Sequence, residues 1–165
     1  MRSRIDDLRF VEFDLNKKKL QQMSMLLFVA YVIFVVWMTL LKREPRVRAR
    51  VIKPELFWAL RGWLNGAPDG KQESIQYIQN VLFFIPFGFL FPWKKWKSVF
   101  MSAFMTSAII EATQYIFNLG WCELDDVISN TAGALVGFGL YIILQKLICK
   151  EGVSDKTKNS VEFAP

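Results

Sequence analysis

Fifteen carboxylates and no histidine confine any chemistry in this 165-residue chain to carboxyl and amide groups. An imidazole base, a Ser-His-Asp triad and a histidine-bound metal are excluded. Ser107, Glu111, Gln114 and Asn118 are spaced 4, 3 and 4 apart, which at about 100° per residue predicts one helix face spanning about 60° of arc. Asp126, Asn130, Gly133 and Gly137 repeat that spacing, so a carboxylate, an amide and two glycines share a second face. Gln76 and Asn80 lie one turn apart on a third. Glu111 and Asp126 could serve as acid and base. Glu123, Asp125 and Asp126 could hold a divalent cation through oxygens alone. Asn80, Glu111, Gln114 and Asn130 could equally hydrogen-bond one another and lock the helices together.

These groups sit in a chain whose charge is segregated. Residues 23–41 are 19 without a charge, residues 74–93 are 20, residues 127–145 are 19, and residues 98–122 are 25 with Glu111 as their one charge. Half the chain thus holds one of the 21 basic and 15 acidic side chains. A soluble helix carries charge along its outer face, whereas a hydrocarbon layer roughly 30 Å thick asks for about 20 apolar residues in succession. The windows lack the alternation of barrel strands. The expectation is an all-α integral membrane protein of four transmembrane helices. A carboxylate deep in the bilayer is costly, so Glu111 should face a polar cavity or a partner.

The connections complete the plan. Residues 1–22 mix both signs and form an N-terminal segment, residues 23–149 the membrane domain, and residues 150–165 a polar tail expected to be disordered. Between the first and second windows, Pro54 and Glu55 suit a first helical turn, and Leu56, Leu60 and Leu64 follow at four-residue intervals. That predicts an interfacial amphipathic helix with Trp58 and Trp63 at headgroup depth. The connection Lys94-Lys95-Trp96-Lys97 is basic, and that around Glu123, Asp125 and Asp126 is acidic. With both termini inside, 13 basic residues fall on the cytoplasmic side and 8 on the other, as the positive-inside rule favours. Asn80, Gln114, Glu111 and Asn130 then converge at one depth in the outer leaflet. The net charge of +6 reads as basic flanks meeting anionic lipid in a multi-pass cell-membrane protein, not as nucleic-acid binding. Nothing calls for a cofactor. Gly133 and Gly137 form a small-residue pattern for close helix approach, and Pro86 and Gly88 mark a kink in the second window.

Three strings now become recognisable. Asn80-Val-Leu-Phe-Phe-Ile-Pro-Phe-Gly-Phe-Leu-Phe-Pro92, Ile110-Glu-Ala-Thr-Gln114 and Glu123-Leu-Asp-Asp-Val-Ile-Ser-Asn-Thr-Ala-Gly133, with Gly137 beyond, resemble the VanZ-like family of small bacterial membrane proteins. The resemblance covers about residues 51–145. It carries motif roles onto Asn80, Pro86, Gly88, Glu111, Gln114, Asp126, Asn130, Thr131 and Gly133. Together with the acidic loop, the ligand-binding candidates are Asn80, Glu111, Gln114, Asp125, Asp126, Asn130 and Thr131. Pro86, Gly88, Gly133 and Gly137 are the structural ones. Many members carry an arginine just after the loop glycine, whereas here Trp121 and Cys122 follow Gly120, and the first acidic position is Glu123. If that arginine binds an anion in relatives, this chain must use another basic group, for which residues 42–53 are the candidates, or have lost that function.

The resemblance implies an association with resistance to teicoplanin and related glycopeptides. Its first reading is a non-enzymatic cell-envelope protein that binds a lipid-linked cell-wall precursor or another anionic lipid in the outer-leaflet polar pocket. The alternatives are an integral membrane enzyme working through Glu111 and Asp126, and a small proton-coupled transporter, for which a homodimer through the fourth helix would supply further helices.

Overall fold

A computed structural model describes residues 2–42 and 50–161, with side chains described for 18–42 and for 50–148 apart from Ala59. The chain is largely helical. Helix α1 is Arg2–Val36 and runs on into a π-helical turn, Trp37–Leu41. A two-residue strand β1, Ile52–Lys53, and a short helix α2, Trp58–Leu64, fill the long connection. Helix α3 is Gly70–Leu90, α4 is Trp96–Ile116, strand β2 is Cys122–Glu123, and α5 is Leu124–Val161. The last of these continues from the fourth apolar window into the polar tail. Residues 18–41 of α1 and its π turn, and 124–148 of α5, are long and apolar enough to cross a membrane.

The four long helices alternate in direction. The Ser24 hydroxyl donates to the Leu90 carbonyl at 3.2 Å and the Tyr31 hydroxyl to that of Phe83, so α1 runs antiparallel to α3. Glycines set the contact between α3 and α5. A Cβ on Gly133 would overlap the Val81 carbonyl, one on Gly137 that of Ile85, and one on Gly88 that of Ala134. Register rises together along the two helices, which therefore run parallel with their backbones in direct contact, as small residues permit. The glycine stripe expected to allow close helix approach packs against α3 of the same chain. Pro86 lies inside α3, which continues past it to Leu90. Beyond it, Pro92 restricts Phe91 to extended backbone (φ −53°, ψ 127°) and ends the helix. The Lys94 ammonium donates to the Phe89 carbonyl at 2.6 Å, satisfying one of the open carbonyls at that end.

The core lies among α1, α3, α4 and α5, where Val35, Phe84, Phe87, Phe91, Val99, Ala103, Ile110 and Ala134 are buried together. Phe28 meets Phe87 and Phe91 edge-on, with ring centres 5.1 and 5.4 Å apart. In the long connection the predicted helix starts later than Pro54. Phe57 takes a left-handed conformation (φ 54°), which breaks any helix before it, and α2 begins at Trp58. Strands β1 and β2 pair in parallel, Ile52 with Cys122 and Lys53 with Glu123. That ladder ties the long connection to the loop before α5.

Candidate functional site

The α4 stripe points inward, and Ser107, Glu111 and Gln114 are all buried. Asn118 does not share their face. Helix α4 ends at Ile116, and Asn118 turns left-handed (φ 57°) two residues later. Glu111, only 3% exposed, accepts the Glu123 backbone N–H on Oε2 at 3.0 Å. A carboxylate of α4 thereby holds strand β2. One turn earlier, the Ser107 hydroxyl accepts from the Asn130 amide at 2.8 Å and lies 3.5 Å from the Asp126 carbonyl. Asp126 takes the Asn80 amide on Oδ1 at 2.7 Å, which joins α3 to α5. Gln114 reaches the other way and donates to the Thr39 carbonyl at 3.1 Å, in the π turn that follows α1.

Asp125 and Asp126 are consecutive on a helix, so their side chains diverge by about 100°. Asp125 turns to the long connection and accepts the Phe57 N–H on Oδ1 at 2.6 Å. It therefore braces the left-handed residue from which Trp58 and α2 start. This divergence separates Asp125 from Asp126, and among the described residues no three acidic or cysteine groups come together as a metal set. Of the remaining candidates, Thr131 is buried but returns its hydroxyl to the Val127 carbonyl of its own helix at 2.7 Å. Gln76 is exposed. Asn80, Glu111, Asp126 and Asn130, with Ser107, form the polar layer, and Gln114 and Asp125 extend it to either side.

Two buried oxygens of this layer have no hydrogen-bond partner among the described residues: Asp125 Oδ2 and Asn130 Oδ1. Buried polar atoms are nearly always paired, and each exception costs free energy or serves a purpose. A family model described as VanZ/LLP1 matches residues 28–145, taking in α3 and α4 whole, the end of α1 and α5 as far as residue 145. The chain belongs to the VanZ/LLP1 family. It is also 29% identical over 125 residues to Protein VanZ of Enterococcus faecium, covering 73% of this chain and 74% of that one. No solved structure matches it.

Around this VanZ/LLP1 layer lie Lys53 and Arg50, which periodicity could not single out, and Glu123 of the acidic loop. Lys53, on β1, places its ammonium 3.2 Å from the ring centre of Trp58 and 3.8 Å from that of Trp121. Lys53 thus brings a basic group of residues 42–53 onto Trp121, the residue that follows Gly120. Arg50 lies nearby but turns to the end of α4, donating to the Ile116 carbonyl at 3.1 Å. Glu123 is half-buried beside Lys53. Burial and then the charge of Asp126 push its carboxyl up to about 7, while Lys53 and the Trp58 indole pull it down in part. That indole N–H is buried toward Glu123 without closing a well-formed hydrogen bond. Burial also lowers the Lys53 ammonium, against the raising effect of Glu123, Glu73, Glu55 and Asp126. At the other end of the bundle, Lys18, Gln21, Gln22, Met25, Pro92 and Trp93 line an open cleft of about 390 Å³.

Proposed function

We propose that the chain is a four-span cell-envelope membrane protein that binds a lipid-linked or cell-wall component at its polar layer, in the outer leaflet, and acts in the glycopeptide resistance that the family resemblance implies. One observation carries this reading. Asp125 and Asn130 each present a buried oxygen that no group among the described residues satisfies, in a layer where the other acceptors named above are engaged. A network meant only to lock helices would pair them all. The β1–β2 ladder and α2 lie over the same layer, so a headgroup at the interface reaches it beside tryptophans and carboxylates. The amphipathic α2, with Leu60, Trp63 and Leu64 exposed, suits the membrane surface. The 13 basic residues against 8 support termini on the cytoplasmic side.

The test is a photo-reactive side chain at Tyr115, next to Gln114, compared with one at Trp93 in native membranes. Adducts carrying a lipid-linked cell-wall component from position 115 and not from 93 are expected, and their absence overturns the reading. Glycopeptide susceptibility of the same strain adds a functional arm. Glu111→Ala strands the Glu123 N–H and should cost about 1–3 kcal/mol of stability, so membrane abundance is measured beside it. Glu111→Gln keeps an acceptor and should keep both abundance and protection.

A further inference from the structure

The Trp58–Trp121 pair is a box for an ammonium group. Two indole faces at 3.2 and 3.8 Å are the arrangement by which proteins hold alkylammonium ions, through the negative faces of the rings. Here the occupant is the chain's own Lys53. Its tether is slight: β1 is two residues long, Ile52 beside it is exposed, and among the described residues the ammonium makes neither a hydrogen bond nor an ion pair. The charges acting on it are Glu123, Glu73, Glu55 and Asp126, all negative. Asp125, 2% exposed with Oδ2 unpartnered, braces the turn that carries Trp58. With Lys53 swung out, the box is aromatic and acidic, and it would repel an anion.

We propose that the box receives the primary ammonium of a membrane-anchored ligand, which displaces Lys53, so that Lys53 occupies the box as a stand-in when no ligand is bound. This rests on the reading of the layer as a ligand site and names the chemistry of that ligand. The ammonium has two sources, an aminophospholipid headgroup or a free amine on the peptide of a cell-wall precursor.

Lys53 itself reports the exchange. The full-length protein is placed in nanodiscs of phosphatidylglycerol alone, or with added phosphatidylethanolamine, or with a lipid-linked precursor bearing a free side-chain amine, each ligand also supplied N-acetylated. The acylation rate of Lys53 is read by mass spectrometry against that of exposed Lys71 under excess reagent. In phosphatidylglycerol alone Lys53 should react about tenfold more slowly than Lys71, and a free-amine ligand should remove most of that difference. Acceleration by one ligand only identifies the source, and by both shows that the box selects the ammonium. No acceleration, or equal acceleration by the N-acetylated forms, overturns the proposal. Trp121→Ala should release Lys53 without ligand; should that variant not fold, Lys53→Met should bind the accelerating ligand more tightly by native mass spectrometry, and unchanged binding counts against the proposal. Lipid adducts at Tyr115 with Lys53 still protected would overturn the ammonium box and leave the binding site standing, whereas loss of both would remove both.

Discussion

At the level of single residues, Glu123 makes the clearest demand on pH. Its folded value, about 7 against an ordinary 4.5, means that the folded chain keeps a proton which the unfolded chain has released across that interval. Its contribution is therefore fully present below the lower value, is lost as pH rises toward 7, and stays lost above. Glu123→Gln mimics the protonated acid and should be flat. Thermal unfolding in detergent should show the variant melting about 2 °C above the parent at pH 8 and level with it at pH 5. A parallel pH profile for the two proteins would assign the slope to another group. Neither the raised value nor its cause was legible in the sequence. Spacing identified the acidic loop, but the Lys53 ammonium and Trp58 indole come from a segment some 65–70 residues earlier, brought alongside by a two-residue ladder that leaves no periodic trace.

Among the elements, the parallel contact of α3 and α5 fixes where the polar layer forms. Gly133 and Gly137 lie about two and three turns beyond Asp126, and their closeness to Val81 and Ile85 puts Asn80 within reach of Asp126. A methyl at Gly133 would meet main chain, which cannot move aside as a side chain can. Gly133→Ala should therefore cost at least about 1–3 kcal/mol and separate Asn80 from Asp126, read as lost membrane abundance and a lowered unfolding midpoint. Gly139, with open space around its Cβ direction, is the control. Gly139→Ala should be neutral or gain up to about 1 kcal/mol from helix propensity. Equal effects at 133 and 139 would rule out close packing as the cause. These stripes were legible because 3.6-residue periodicity survives in any helix, and the inward faces of α4 and α5 followed from it. Asn118 was misplaced because the same spacing continues past a helix end. The start of α2 was misplaced because the left-handed Phe57, held by Asp125 from far along the chain, overrides a local helix signal.

For the whole molecule, α3 and α4 decide the proposed topology. Each has 21 residues, about 32 Å at 1.5 Å per residue, against a hydrocarbon layer of about 30 Å. Residues 18–41 and 124–148 pass as apolar spans by composition, whereas the polar side chains of α4, Ser107, Glu111 and Gln114, lower its apolar average although they are buried in the bundle. Large apolar side chains stand on the outward faces of α3 and α4: Ile78 and Leu82 on the former, and Met101, Met105 and Ile109 on the latter, are all at least half exposed. Apolar exposure on that scale calls for lipid or a partner. If all four helices cross, the loops before and after α3 lie on opposite sides. Asp69 and Lys95 are exposed in those loops, and the two native cysteines can be replaced by serine. In that background, Asp69→Cys should react with a membrane-impermeant maleimide on intact cells, and Lys95→Cys only after permeabilisation. Labelling of both from outside would mean that α3 does not cross. The reversed pattern would keep four spans but turn the polar layer, its unpaired oxygens and the tryptophan box toward the cytoplasm, where an outer-leaflet ligand could not reach them.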